Sequence, residues 1–239
     1  MKLTLLLVLS ALALQAQTLH VFCSNGMRGA VEKMHLEKAA GGPVDFRYGT
    51  STGLKAAIDK GEAFDVAILS SDLTDELVKA GKLKATTRTA IAKSGVGVGV
   101  RQGAKHPDIS TADAMKQTLL NAKSLTYARE GASRPFLNKM YATLGITAQV
   151  EPKVALEVGS TQAAERVAKG QSEIILTLIS EIKPVPGIEL VGPLPREFQN
   201  FVSFAGATNP SSKNAGGPKL LKFLARQNKA FEAIGMQRP

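Results

Sequence analysis

The chain has 239 residues, a formal charge of +10, 44% hydrophobic residues, 5% aromatic residues and no Trp. That length allows one large domain or two lobes of roughly 100 residues each, and the apolar content is ample for a core. The lysines are scattered at helix-surface spacing, as at Lys79, Lys82 and Lys84, with no basic run and no interleaved aromatics. A solvated basic surface accounts for the charge, and nucleic acid is excluded as a partner. Cys23 is the single cysteine, so no intrachain disulfide is possible, and its apolar setting predicts a buried, inert thiol.

The chain opens with Lys2, an apolar run from Leu3 to Leu14, and small residues at Ala11, Ala13 and Ala16. This is the pattern of a secretory leader over residues 1–17, too short to span a bilayer. No later stretch approaches about 18 consecutive apolar residues, so a soluble exported protein is expected.

Strands and helices then alternate. Leu19 to Cys23 reads as a short strand and Met27 to Lys38 as one helix, closed by Gly41-Gly42-Pro43. Val44 to Tyr48 is a strand, followed by Gly49-Thr50-Ser51-Thr52-Gly53 and a helix from Leu54 to Lys60. Val66 to Leu69 is a buried strand, with Ser71 as cap of the helix to Ala80. The run from Gly95 to Val100 alternates Val with Gly, and glycine inside a strand marks close backbone approach. A helix from Ala112 to Leu120, capped by Thr111, precedes the strand Ser124 to Tyr127. The turn Glu130 to Arg134 leads into a helix opened by Pro135 and ended at Gly145. Val154 to Val158 is a strand, Gly159-Ser160-Thr161 a turn, and the helix after it runs to Ala168. Glu173 to Leu178 is strongly β. Pro184, Pro186, Pro193 and Pro195 break the chain into short extended pieces. Val202 to Ala207 is a last strand, and helices from Pro218 reach Ile234.

Repeated βα units predict parallel sheets with helices on both faces, and ligands in such sheets bind beyond the carboxyl ends of the strands. Small polar residues occupy four strand-to-helix turns: Ser24-Asn25-Gly26, Thr50-Ser51-Thr52, Ser133-Arg134 and Ser160-Thr161. Two lie in each half of the chain, which places a site between two lobes. Hydroxyls, glycines and unpaired helix N–H groups suit an anion. Helix capping explains the same residues and is compatible with binding.

Gly49 to Gly53 also fits the nucleophile elbow G-x-S-x-G, which makes a secreted serine hydrolase using Ser51 the rival from another class. Of the histidines, only His106 follows Ser51, and it lies in a connection beside Pro107. The three histidines and one cysteine form no ligand spacing, so neither a metal nor a cofactor is expected. The glycines from Gly95 to Gly99 lie inside a strand, not ahead of a helix as a dinucleotide fingerprint requires.

On these four turns, and on Phe64-Asp65-Val66-Ala67-Ile68 following Gly49 to Gly61, the sequence resembles the periplasmic molybdate-binding proteins of ABC importers, within the type II periplasmic binding proteins. The resemblance covers about Leu19 to Met236. It implies a two-lobed α/β fold, each lobe a mainly parallel sheet flanked by helices, joined by two hinge crossings near Val98 to Arg101 and Pro195 to Asn200. The lobes would be 18–98 with 199–239, and 99–198. It implies a periplasmic, monomeric, non-enzymatic protein that grips a small anion such as molybdate with hydroxyl and N–H donors and presents it to an ABC permease. By position it makes Ser51 a side-chain ligand, and Ser133 and Ser160 ligands mainly through backbone. The sequence departs from the family where Gly26 replaces a serine and Leu178 a tyrosine. Arg134, and Arg28 likewise, would suit a small organic carboxylate held bidentately. Removing the Ser51 hydroxyl is expected to cost affinity with little change in stability of the free protein.

Overall fold

The computed structural model describes residues 17–239. The leader expected over residues 1–17 lies outside them except for Gln17. Among the described residues no helix is long and apolar enough to cross a membrane.

The first sheet starts from three parallel strands, β1 (Leu19–Ser24), β2 (Val44–Gly49) and β3 (Val66–Ser70), in the order β2-β1-β3. β3 is buried at every residue, as its unbroken apolar run requires of a strand covered on both faces. β2, at the edge, alternates half-buried and exposed positions over its first four residues. Helices α1 (Asn25–Val31), α2 (Leu36–Ala40), α3 (Ser51–Asp59) and α4 (Ser71–Lys79) accompany these strands. α3 buries Ser51, Leu54, Ala57 and Ile58 along one face, and each large apolar side chain so buried contributes about 1.5–3 kcal/mol. Thr50 caps it, its Oγ1 accepting the Gly53 N–H at 3.0 Å.

The single helix expected from Met27 to Lys38 is instead two. α1 stops at Val31, the N–H groups of Lys33 and Met34 bond three residues back, and His35 leaves helical geometry. The bend lets Leu36 and Ala40 bury themselves where α2 packs against the later helix α10 (Gly216–Leu224).

The strand β4 (Thr89–Arg101) is shared between two sheets. From Thr89 to Gly95 it pairs antiparallel with β9 (Phe201–Thr208), itself antiparallel to β3. From Val96 to Val100 it pairs antiparallel with β7 (Ile174–Leu178) in the second sheet. There β5 (Leu125–Ala128) runs parallel to β7 and to β6 (Val154–Glu157), and β8 (Ile188–Pro193) lies antiparallel on β4. Helices α5 (Ala112–Asn121), α6 (Arg134–Leu144), α7 (Thr147–Val150), α8 (Ser160–Ala168) and α9 (Ile179–Ile182) belong with this sheet. The chain returns through residues 194–200 into β9 and finishes with α10, α11 (Asn228–Ala233) and β10 (Met236–Gln237), which pairs with β4. The sheets are therefore mixed: three strands of each are parallel, and the strands that carry the chain between sheets enter antiparallel.

The glycine alternation in β4 has a packing cause. A Cβ on Gly97 would meet Ile179 Cγ1 at 2.7 Å, and one on Gly99 would meet Ile175 and Ile182 at 2.9 Å. The bare strand lets α9 lie directly on it. One apolar cluster, from Leu19 and Met27 through Phe204 and Val98 to Leu176 and Leu137, runs across both sheets. Cys23 is fully buried in it, and burial pushes its thiol well up, so the thiol is inert as expected.

Candidate functional site

The carboxyl ends of the parallel strands open into the space between the sheets, where three cavities draw residues from both. One, of about 370 Å³, takes Asn25, Arg28, Arg47 and Thr50 from the first sheet and Glu130, Gly159, Thr161 and Gln162 from the second. A second, of about 220 Å³, has Asn25, Arg28, Ser160, Thr161, Ser180 and Glu181 in its walls. Asn25, Arg28 and Thr161 line both, so the two cavities meet there. A third, of about 450 Å³, faces Ser51, Thr52 and Ser70 towards Gly131, Ala132 and Phe136. A larger cavity of about 930 Å³ lies at the other end of the second sheet, around Arg101, His106 and Glu173. None of the four predicted hydroxyl turns lines it.

Each of the four sequence-predicted serines is nearly buried: Ser24 at 6% exposure, Ser51 at 5%, Ser133 at 3% and Ser160 at 4%. Buried hydroxyls need partners, and the partners differ. Ser51 Oγ accepts the Ser70 N–H at 2.9 Å, which leaves its own hydrogen to donate. Thr50 Oγ1 likewise accepts the Gly53 N–H and keeps its hydrogen. Ser160 Oγ does the opposite and donates to Glu181 Oε1 at 2.7 Å. The hydroxyls of Ser24 and Ser133 have no partner among the described residues, and neither serves as a side-chain cap of the helix it precedes.

The remaining predicted positions separate. Asn25, Thr161 and Thr52 line the cavities. Gly26 is packed away: a Cβ there would fall 2.4 Å from Phe204 Cζ and 3.1 Å from Leu178 Cδ1. The serine that the resemblance expects at this position would not fit. Arg134 turns back on its own loop, Nη1 donating to the Arg129 carbonyl, while its Nε is buried without a partner among the described residues. It lines none of the three inter-sheet cavities.

Arg28 lines two of them. Its Nε donates to Glu32 Oε1 at 2.7 Å and its guanidinium lies over the Tyr48 ring at 4.9 Å, which fixes the fork yet leaves other N–H groups uncommitted. Arg47, beside it, pairs with Glu62 and covers the Phe22 ring. Sequence reasoning missed Arg47, Ser180 and Glu181. Glu181 stands three residues after Leu178, the residue that precedes α9; that spacing is the signal of a helix-capping carboxylate. Burial raises its carboxyl above the usual range, while Thr177 and Ser160 hydroxyls and the Leu178 N–H, donating to it, act the other way.

No histidine reaches Ser51. His106 bonds Glu189 at 3.0 Å at the far end of the second sheet, and His20 faces Asp45 on the surface. Ser51 therefore lacks the base that a serine nucleophile needs. Among the described residues no group of His, Cys, Asp and Glu could hold a metal ion.

Two lobes of mixed α/β structure, joined through a shared strand and a return segment and lined at their junction by helix-opening hydroxyl turns, define a two-lobed periplasmic binding protein fold. Over residues 19–237 the chain matches the bacterial extracellular solute-binding proteins and belongs to that family. A curated relative from Pseudomonas sp, named aconitate isomerase, is 31% identical over 249 residues, covering 97% of this chain and 93% of the relative. The Azotobacter vinelandii periplasmic molybdate-binding protein superposes with a TM-score of 0.74 at 15% identity, over 92% of this chain and 99% of that one. The periplasmic binding protein AfuA of Actinobacillus pleuropneumoniae, with fructose-6-phosphate bound, superposes with a TM-score of 0.66 at 13% identity, over 91% and 82%. At such identities the two structures speak for the fold alone.

Proposed function

We propose that this chain is the periplasmic, monomeric binding component of an ABC importer, which closes two lobes over a small anion and delivers it to the permease. The observation that supports the reading is that cavities between the sheets take helix-opening residues from both: Asn25, Arg28 and Thr50 with Gly159 and Thr161 in one, Arg28 with Ser160 in the next, and Ser51 with Gly131 in the third. The proposed lobes are 18–98 with 199–239, and 99–198. The change of sheet along β4 and the return through 194–200 supply the two crossings. A ligand touching both lobes favours the closed arrangement by its differential affinity for it.

For the ligand we favour a small carboxylate over molybdate. Arg28 and Arg47 line one cavity, and although Arg47 is paired with Glu62, the uncommitted N–H groups of Arg28 suit a planar carboxylate. The relative named aconitate isomerase points the same way, since aconitate is a tricarboxylate. That relative also supports a second reading, in which the bound carboxylate is isomerised. Ligand trapped during native purification, identified by mass spectrometry, tests the class of ligand. Calorimetry with aconitate, citrate and molybdate, together with absorbance of cis-aconitate over time, separates binding from turnover. Binding of none of these would remove the reading.

A further inference from the structure

We infer that the ligand carries a hydroxyl group as well as its anionic group, and that Ser160, held by Glu181, is the residue that reads that hydroxyl. The inference rests on the inter-lobe site proposed above and names the chemical class of its occupant as a hydroxycarboxylate.

A serine hydroxyl has one hydrogen to give and two lone pairs to receive. Ser160 gives its hydrogen to Glu181 Oε1 at 2.7 Å. Towards the cavity that it lines with Asn25 and Arg28, its oxygen can only accept. Glu181 is not free to turn away. Its other oxygen takes the Thr177 hydroxyl, and the Leu178 N–H at the start of α9 donates to the same carboxylate. Three donors thus fix the carboxylate, and the carboxylate fixes the Ser160 hydrogen. Across the lobes the polarity is reversed. Ser51 accepts the Ser70 N–H and Thr50 accepts the Gly53 N–H, so both keep a hydrogen for an acceptor, and Arg28 adds uncommitted guanidinium N–H groups.

A fully ionised tetrahedral oxyanion has acceptors on every side. It suits Ser51, Thr50 and Arg28 but presents Ser160 with a lone pair against a lone pair. It also brings negative charge towards Glu181, which stands at the opening of α8, where a helix would otherwise favour an anion. A carboxylate with a hydroxyl on a neighbouring carbon matches both ends: carboxylate oxygens to lobe one, hydroxyl hydrogen to Ser160. Discrimination of this kind is strong because a buried polar group left unpaired costs more than a good bond gains.

The test is calorimetry with L-malate against succinate and citrate against tricarballylate, with molybdate as a fifth probe, on the wild type, Ser160→Ala and Glu181→Gln. In the wild type the hydroxylated member of at least one pair binds about tenfold or more tighter than its deoxy partner. Ser160→Ala removes that preference and still binds the deoxy acid. Glu181→Gln offers an amide N–H to Ser160, frees the serine hydrogen for the cavity and shrinks or reverses the preference. If Glu181→Gln does not fold, Ser160→Ala decides alone. Equal binding within both pairs, a preference unchanged in Ser160→Ala, or tight binding of molybdate with none of the acids overturns the inference while leaving the inter-lobe anion site standing. Binding of none of the five probes removes that site instead.

Discussion

Ser51→Ala is the substitution for which the structure changes the expectation. On sequence alone the hydroxyl serves the ligand, and its loss costs affinity with little effect on the free protein. In the structure the same oxygen accepts the Ser70 N–H at 2.9 Å, with Ser51 5% and Ser70 3% exposed. Alanine leaves that N–H buried and unpaired, at a cost of about 1–3 kcal/mol. For a protein of this size that is about 2–12 °C in Tm, at roughly 2–4 °C per kcal/mol. Urea unfolding of the ligand-free variant measures the change directly, with the m-value held as the check that the unfolded state is unaltered. The affinity loss, also about 1–3 kcal/mol, is read separately by calorimetry. A variant as stable as the wild type refutes the claim that Ser51 ties the β2–α3 turn to the start of α4. A variant destabilised yet unimpaired in binding refutes the ligand role and leaves Ser51 a structural residue.

Four further outcomes follow from named contacts. Arg134→Ala leaves ligand affinity unchanged in calorimetry, because the side chain turns back on the Arg129 carbonyl and lines no inter-sheet cavity. Arg28→Ala weakens binding by about three- to tenfold, a figure kept small because the side chain is half-exposed and screened; equal affinity would place the anion elsewhere. Gly97→Ala lowers Tm, since its Cβ would press on Ile179 from 2.7 Å and overpacking costs about 1–3 kcal/mol; an unchanged Tm would show that α9 yields freely. Glu181, whose carboxyl is raised by burial, holds a proton in the folded protein at pH values where the unfolded chain has lost it. Its contribution to stability is therefore full below the unfolded pKa and falls as pH rises through the folded one. Glu181→Gln should flatten that part of the pH–stability curve, and a curve identical to wild type would deny the shift.

The alternating βα order and most element boundaries were legible because hydrophobic period and caps agree locally. Thr111 caps α5 through the Ala114 N–H, and Gly145 ends α6 in left-handed conformation at φ 67°. The break between α1 and α2 was not legible, because Met27, Val31, Met34 and Leu36 keep helical spacing across it; α10, far along the chain, decides the bend. β8 was hidden by the prolines around it, and its strand character comes from pairing with β4. Of the candidate site, the hydroxyl turns could be read from glycine and serine between strand and helix. Arg134 could not be placed, since which way a side chain leaves a turn depends on carbonyls such as that of Arg129. Glu181 was not legible as a site residue, because only the packing of α9 beside α8 brings its carboxylate to Ser160.

A turn rich in serine and threonine specifies donors only when nothing behind it takes the hydrogens. Lobe one places backbone N–H groups of Ser70 and Gly53 behind its hydroxyls and so turns their hydrogens outward. Lobe two places Glu181 behind Ser160 and turns its hydrogen inward. The two halves of the site thus differ in polarity although they share a sequence pattern. On the proposed reading, closure depends on an occupant with both kinds of group. Moving a two-state equilibrium from 1:99 to 99:1 requires about 5.5 kcal/mol of differential affinity. Bonds of about 1–3 kcal/mol each add to that difference only where they form in the closed arrangement and not in the open one, so an occupant held by one lobe alone supplies none of it. The lobes also meet beside the cavities, where Gly26 lies against Leu178 and Gly29 against Pro184. Those contacts carry no charge, so on the proposed reading selectivity rests with Arg28, with the hydroxyls and with what stands behind each of them.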